Sequence, residues 1–149
     1  MKSNSIRLHR VFSAKPEKVF KAFSNSDAMA WWLPPKGFIC KIHQFDFTQG
    51  GRYAMAFINF STDKIHSFSG TFLEIKPNES LIYTDIFDDP ALPGEIRTTV
   101  VLNNVICGTN ITVTQEGIPS AIPVEMCYLG WQESLDKLQA LVERHVPDA

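Results

Sequence analysis

From about Ile122 to His145 the chain keeps one regular pattern for many turns. Val124, Tyr128, Trp131, Leu135, Leu138 and Val142 recur at alternating spacings of four and three, which places them on one stripe of an α-helix. Glu125, Gln132, Glu133, Asp136, Gln139 and Glu143 stand between them and form a polar face. At 1.5 Å rise per residue such a helix is roughly 36 Å long, about the span of a small domain, so it needs an extended surface to lie on. Gly130 falls inside this stretch. A helix-interior glycine costs about 1 kcal/mol against alanine, which predicts that a strand or a ligand comes close there.

Most of the remaining chain alternates with period two. Over residues 5–13, Ile6 and Leu8 alternate with Arg7 and His9, as in a half-buried strand. Pro16 suits the first turn of a helix running to Phe23, with Val19, Phe20 and Phe23 on one side. Ser26 is the expected cap of a second short helix that reaches Trp32 before Pro34-Pro35. Strands are then predicted over 38–47, 52–60, 65–75, 80–87, 97–102 and 109–114. Gly50-Gly51, Ser61-Thr62-Asp63, Pro77-Asn78, a loop from Asp88 to Glu95, and a connection holding Asn103, Asn104 and Gly108 separate them. Links this short join antiparallel neighbours into a meander. The predicted architecture is α+β: a curved antiparallel sheet gripping the long terminal helix, in a single domain spanning 1–149.

Composition narrows the partners. Net charge is −2 and no Lys/Arg run occurs, which argues against nucleic acid and acidic lipid surfaces. No stretch approaches eighteen apolar residues and the first ten residues carry no apolar core, so neither a membrane span nor a secretory signal is expected, and the chain is assigned to the cytoplasm. Cys40, Cys107 and Cys127 are odd in number and never paired as CxxC, as expected of buried thiols in a reducing compartment. His43 and His66 lie in different predicted strands without a second ligand at metal spacing, and no metal or cofactor is expected. GxGxxG, P-loop, HExxH and GxSxG motifs are all absent, which removes the geometric parts of nucleotide, zinc-protease and serine-hydrolase chemistry.

Two strands carry the candidate site. Over 52–60, Tyr53, Met55 and Phe57 share one face while Ala54, Ala56 and Ile58 share the other, so one face is bulky and one nearly bare. Over 80–87, Asp85 shares a face with Leu81, Tyr83 and Phe87; pointing inward it would carry a raised pKa and a capacity for acid or base work, whereas the commoner outcome for such a residue is to cap the strand end or pair with a nearby arginine. Trp32 and Trp131 are the aromatics expected at the mouth or wall of a pocket. The predicted cavity lining is therefore Trp32, Tyr53, Met55, Phe57, Tyr83, Asp85, Phe87 and Trp131. The competing packing lets the eleven phenylalanines and three tryptophans fill the interior. A dry, empty pocket of about 300 Å³ would cost about 7 kcal/mol at ~24 cal/mol per Å³, against a typical total stability of about 5 to 15 kcal/mol. Such a space has to be wet, collapsed, or filled by a captured apolar molecule.

Several motifs occur in an ordered succession: Arg10-Val11-Phe12-Ser13-Ala14 with Pro16-Glu17 and Val19-Phe20, Trp31-Trp32 before Pro34, Gly50-Gly51-Arg52-Tyr53, Gly70 to Ile75 with Pro77, Leu81 and Tyr83-Thr84, Gly108-Thr109, and Gly130-Trp131 with Leu135 and Leu138. This succession resembles the stand-alone domain family related to the activator of the ninety-kilodalton heat-shock protein ATPase, within the START-like, or SRPBCC, superfamily. The resemblance covers nearly the whole chain. It implies the helix-grip fold, with two short helices between the first two strands, and a hydrophobic cavity between helix and sheet of the kind the superfamily uses for lipids, hormones or polyketides. The function it implies first is binding of a small hydrophobic or aromatic molecule. The alternatives are an enzyme of cyclase or dehydratase type in the same cavity, with Asp85 or Tyr83 handling the proton, and a chaperone ATPase co-factor. The last is disfavoured because the chain lacks the separate amino-terminal domain with which two-domain activators grip the chaperone. A homodimer is compatible with the resemblance, since related single-domain proteins often pair, although no seam stands out in the helix pattern.

Overall fold

The computed structural model describes residues 4–148. The elements follow as β1 (Asn4–Phe12), α1 (Pro16–Ser24), α2 (Ser26–Trp32), β2 (Phe38–Phe45), β3 (Arg52–Asn59), β4 (Ile65–Lys76), β5 (Ser80–Phe87), β6 (Ile96–Val105), β7 (Gly108–Ile118) and α3 (Val124–Glu143). The seven strands form one sheet in the order β1-β7-β6-β5-β4-β3-β2, antiparallel at every seam. The six strands from β2 to β7 are a meander, and β1 closes the far edge beside β7. The α1–α2 pair sits between β1 and β2, and α3 lies across the concave face. This is the helix-grip arrangement.

The local signals explain the boundaries, with two corrections. Asn25, not Ser26, caps α2: its side chain accepts from the Ala28 N–H at 2.9 Å, and Ser26 is already helical. The backbone of Asn25 is extended, and its own N–H bonds the Lys21 carbonyl, so one residue ends α1 and starts α2. Asn103 and Asn104 do not form the β6–β7 turn. They pair with Asn110 and Thr109 inside the ladder, and Ile106-Cys107 makes the turn. Both asparagines are exposed, so their polarity suits the outer end of a hairpin as well as a loop.

The helix stripe holds only along part of α3. Trp131, Leu135, Leu138 and Val142 are buried, joined by Ser134, whereas Val124 is part-buried and Tyr128 turns outward with 40% of its surface exposed. The reason lies in what the helix touches. It packs on β1, α1 and α2, and Phe12, Val19, Phe23, Leu135 and Leu138 make a dry core at that end. The polar residues at 132, 136, 139 and 143 serve as a second seam: Arg10 in β1 donates to Asp136 and to Gln132 at 2.7 Å each, and the Ser13 N–H donates to Glu143 at 2.8 Å. Gly130 lies at the edge of the packed half. A methyl group placed there would meet only Pro35 Cγ at 3.6 Å, an ordinary contact, so of the two approaches expected there, the strand is absent among the described residues.

Candidate functional site

Along β3 the alternation of side chains sends Tyr53, Met55 and Phe57 to the concave face, and on β5 it sends Leu81, Tyr83, Asp85 and Phe87 to the same side. Tyr53 lies opposite Gly70 in the ladder, and that glycine is what lets the phenol reach across β4. A Cβ at Gly70 would overlap the Thr84 carbonyl oxygen and press on the Tyr53 ring. Without it, the Tyr53 hydroxyl sits 2.6 Å from the Thr84 carbonyl oxygen and against the Asp85 carboxylate. The β4–β5 ladder is open at this point, and side chains take over: the Thr71 N–H donates to the Thr84 hydroxyl at 3.0 Å. A second polar group follows on the adjoining strands, where Tyr83 pairs with Thr98 in the β5–β6 ladder and Gln115 Nε2 donates to the Thr98 hydroxyl at 3.0 Å.

Between these side chains and the first half of α3 lies a cavity of about 250 Å³. Its inner end is walled by buried Met29, Tyr53, Met55, Phe72, Tyr83 and Trp131. At its outer end His66 and Met126 are exposed and Phe57, Phe87 and Ile122 are half-buried, which sets the opening between the ends of β3, β4 and β5 and the start of α3. Of the residues expected on its wall, all but Trp32 line it. Trp32 is wholly buried one layer behind. Its ring packs edge-on to Phe23 at 4.7 Å and lies 6.3 Å from the Trp131 ring, and its Nε1 donates to the Ala22 carbonyl at 2.9 Å. An indole has one donor to satisfy when buried, and that carbonyl holds Trp32 in the helix corner rather than on the cavity wall.

Burial sets the electrostatics. Asp85 is pushed from the ordinary 3.8 up to about 7 by desolvation, with the hydrogen bond from Tyr53 pulling it back down. It keeps some accessible surface although protein surrounds it, as suits a residue bordering a cavity. The Tyr53 phenol is held far above its usual range by burial first and by the neighbouring Asp85 second. Tyr83 rises for the same two reasons, opposed by Thr98 beside it. Cys127, on the helix side, is raised by burial and then by Asp85. Both tyrosines therefore remain neutral, while the carboxyl changes charge near neutral pH and can either donate or accept. No lysine or arginine among the described residues lines the cavity. Among the described residues no cluster of His, Cys, Asp and Glu is arranged to hold a metal, and no helix is long and apolar enough to cross a membrane.

Gln115 and Thr98 did not emerge from sequence reasoning, although their signal was present. Ile111, Val113 and Gln115 share one parity, as do Ile96, Thr98 and Val100. Ending the last strand at Thr114 left Gln115 outside the pattern, whereas β7 continues to Ile118. His66 belongs to the cavity mouth, while His43 is exposed on β2.

Residues 13–143 match the family described as Activator of Hsp90 ATPase homolog 1-like protein. No curated protein matches the chain. Among solved structures, the crystal structure of a protein from Chromobacterium violaceum is 52% identical with a TM-score of 0.94, covering 95% of this chain and 99% of that one. The crystal structure of the AHSA1 protein from Silicibacter pomeroyi superposes with a TM-score of 0.80 at 24% identity, covering 93% of this chain and 96% of that one. The solution structure of an AHSA1-like protein from Aeromonas hydrophila gives 0.75 at 20% identity, covering 98% of this chain and all of that one, at 100%. The last two likenesses speak to the fold alone.

Proposed function

Because the chain belongs to the Activator of Hsp90 ATPase homolog 1-like family, and so to the helix-grip proteins of the START-like superfamily, we propose that it binds a small molecule with a hydrophobic or aromatic body in the cavity beneath α3. The observation that carries this reading is the 250 Å³ space itself, apolar over most of its wall, with Asp85 and Tyr53 as a polar pair on one side. Left as a dry void, that volume would cost about 6 kcal/mol at ~24 cal/mol per Å³. It equals the liquid share of about eight water molecules, room for a single ring system with a short substituent. Apolar walls set the size of the guest, and a few convergent polar groups set its orientation. No cofactor is needed. The thiols are not buried as expected, since Cys40 and Cys127 are half-buried and Cys107 is exposed, but all three are free, which supports a reducing compartment that the reading takes to be the cytoplasm.

Native mass spectrometry of the protein purified from its host, followed by organic extraction, tests the reading. The expected result is an adduct at no more than one per chain, or failing that, one-to-one displacement of a hydrophobic fluorophore by small aromatic compounds. Absence of both ends the proposal.

A second reading is favoured by one observation, the Asp85 carboxyl on the cavity wall, which burial pushes up to about 7. This suits an enzyme of cyclase or dehydratase type in which Asp85, with Tyr83 beside it, moves a proton on a bound substrate. A turnover unaffected by Asp85→Asn would remove that assignment. Stimulation of a chaperone ATPase, suggested by the family's description, draws no support from the cavity; an ATPase assay with the chaperone decides it.

A further inference from the structure

Asp85 is unusual in what surrounds it. The Tyr53 hydroxyl meets its Oδ1, and among the described residues nothing bonds its Oδ2 and no lysine, arginine or histidine forms an ion pair with it. Among the described residues no fully buried side-chain oxygen or nitrogen lacks a partner, so this second oxygen opens onto the space that Asp85 lines. Each element around it contributes neutral groups or aromatic rings. Tyr53 and Phe57 come from β3, Phe68 and the mouth residue His66 from β4, Tyr83 from β5, Gln115 from β7, and Cys127 and Trp131 from α3. On β6, Thr98 is uncharged, and the exposed Arg52 next to Tyr53 bonds Thr71 at 3.2 Å.

Resting on the reading of this cavity as a binding site, we infer that its ligand is an organic cation, a protonated or alkylated amine on an apolar body, with the positive nitrogen against Asp85 Oδ2 and the body among the aromatic rings. An ionised carboxylate in an apolar wall is strongly disfavoured unless a positive charge accompanies it, and among the described residues no cationic side chain pairs with Asp85. Aromatic faces attract alkylated ammonium groups without competing for the carboxylate. A neutral guest leaves the charge of Asp85 uncompensated, and an anionic guest adds a second like charge. The raised pKa of Asp85 has the same origin. A bound cation should pull it back down, which ties affinity to pH through ionisation of that one group.

Three probes of near-equal size separate the cases: benzyltrimethylammonium, its uncharged isostere neopentylbenzene, and phenylacetate, each measured by competition calorimetry. At pH 8.5 the cation should bind at least about tenfold more tightly than the isostere, and phenylacetate least tightly. At pH 5.5, with about 3% of a carboxyl of pKa 7 ionised, the cation should bind about thirtyfold more weakly, while the isostere holds or gains. Asp85→Asn should abolish the preference for the cation, and His66→Gln should leave the pH dependence in place. If Asp85→Asn does not fold, the comparison of cation and isostere on the unmodified protein still decides. Equal or tighter binding of the isostere or of phenylacetate at pH 8.5 overturns the cation inference and leaves the binding reading intact. Failure of all three probes, with no adduct in the native spectrum, overturns both.

Discussion

The two halves of α3 have different neighbours. From Trp131 to Val142 the helix rests on β1, α1 and α2, with Leu135 and Leu138 wholly buried and a parallel seam of polar bonds to Arg10 and Ser13. From Val124 to Gly130 it roofs the cavity, with Met126 at the mouth and Tyr128 and Leu129 facing outward, 65%, 40% and 60% exposed in turn. One continuous helix is thus an anchor at one end and a roof at the other. Stability concentrated at the anchor lets the roof stand away from β3, β4 and β5, where a close-packed core would leave no space for a guest.

The same contrast separates two carboxylates. Asp136, at the anchored end, is held below its usual range chiefly by hydrogen bonds from Arg10 and Lys36. It contributes stability above about pH 3.8 that is lost as pH falls. Asp85, at the roofed end, is raised. The folded state binds its proton more tightly than the unfolded chain does, so its stabilising share is complete below about pH 3.8 and is lost as pH rises through 7.

The largest effect should come from the anchor. Leu138→Ala is expected to lower stability by about 2 to 5 kcal/mol in urea titration, since the side chain is wholly buried; a loss below about 1 kcal/mol would show that the anchored half does not hold the fold. Next, Asp85→Asn should make the protein more stable at pH 8.5, by up to about 4 kcal/mol, because burial pushes that carboxyl from 3.8 up to about 7. At pH 4 the variant and the parent should nearly coincide, and a pH-independent difference would mean that Asp85 does not titrate as its surroundings dictate. Gly130→Ala should add about 1 kcal/mol from helix propensity, because the new methyl meets only Pro35. Since Gly130 borders the cavity, probe affinity should fall as stability rises. The smallest effect belongs to the roof: Met126→Ala is expected to change stability by less than about 0.5 kcal/mol, and a larger loss would imply that this half is packed after all.

Much of the site was legible residue by residue. Period two groups Tyr53, Met55 and Phe57 on one face of β3 and Tyr83, Asp85 and Phe87 on one face of β5, because side chains alternate along any strand regardless of its partners, while the pairing through β4 makes the two faces coincide. The errors arose where a partner decides. Tyr128 continues the stripe of α3, yet nothing lies beneath that side of the first turns. Trp32 has the size and polarity of a pocket residue, yet the Ala22 carbonyl claims its one donor. Gln115 has the right parity but lies in a part of β7 that pairing with β1 and β6 extends. Gly70 stood among the family motifs, but its purpose, making room for the Tyr53 phenol between two strands, is invisible until β3, β4 and β5 are laid side by side.

Alone, the order of residues determined the element types, their succession and the inward faces, since each of these follows from backbone periodicities that act over a few residues. Tertiary structure decided the distance between α3 and β3–β5, and therefore the existence of a cavity, and it brought Tyr53 to Asp85 across an intervening strand. Those outcomes depend on contacts between segments far apart in the chain, where the separation of packed layers and the desolvation of a carboxyl are set jointly by every neighbour.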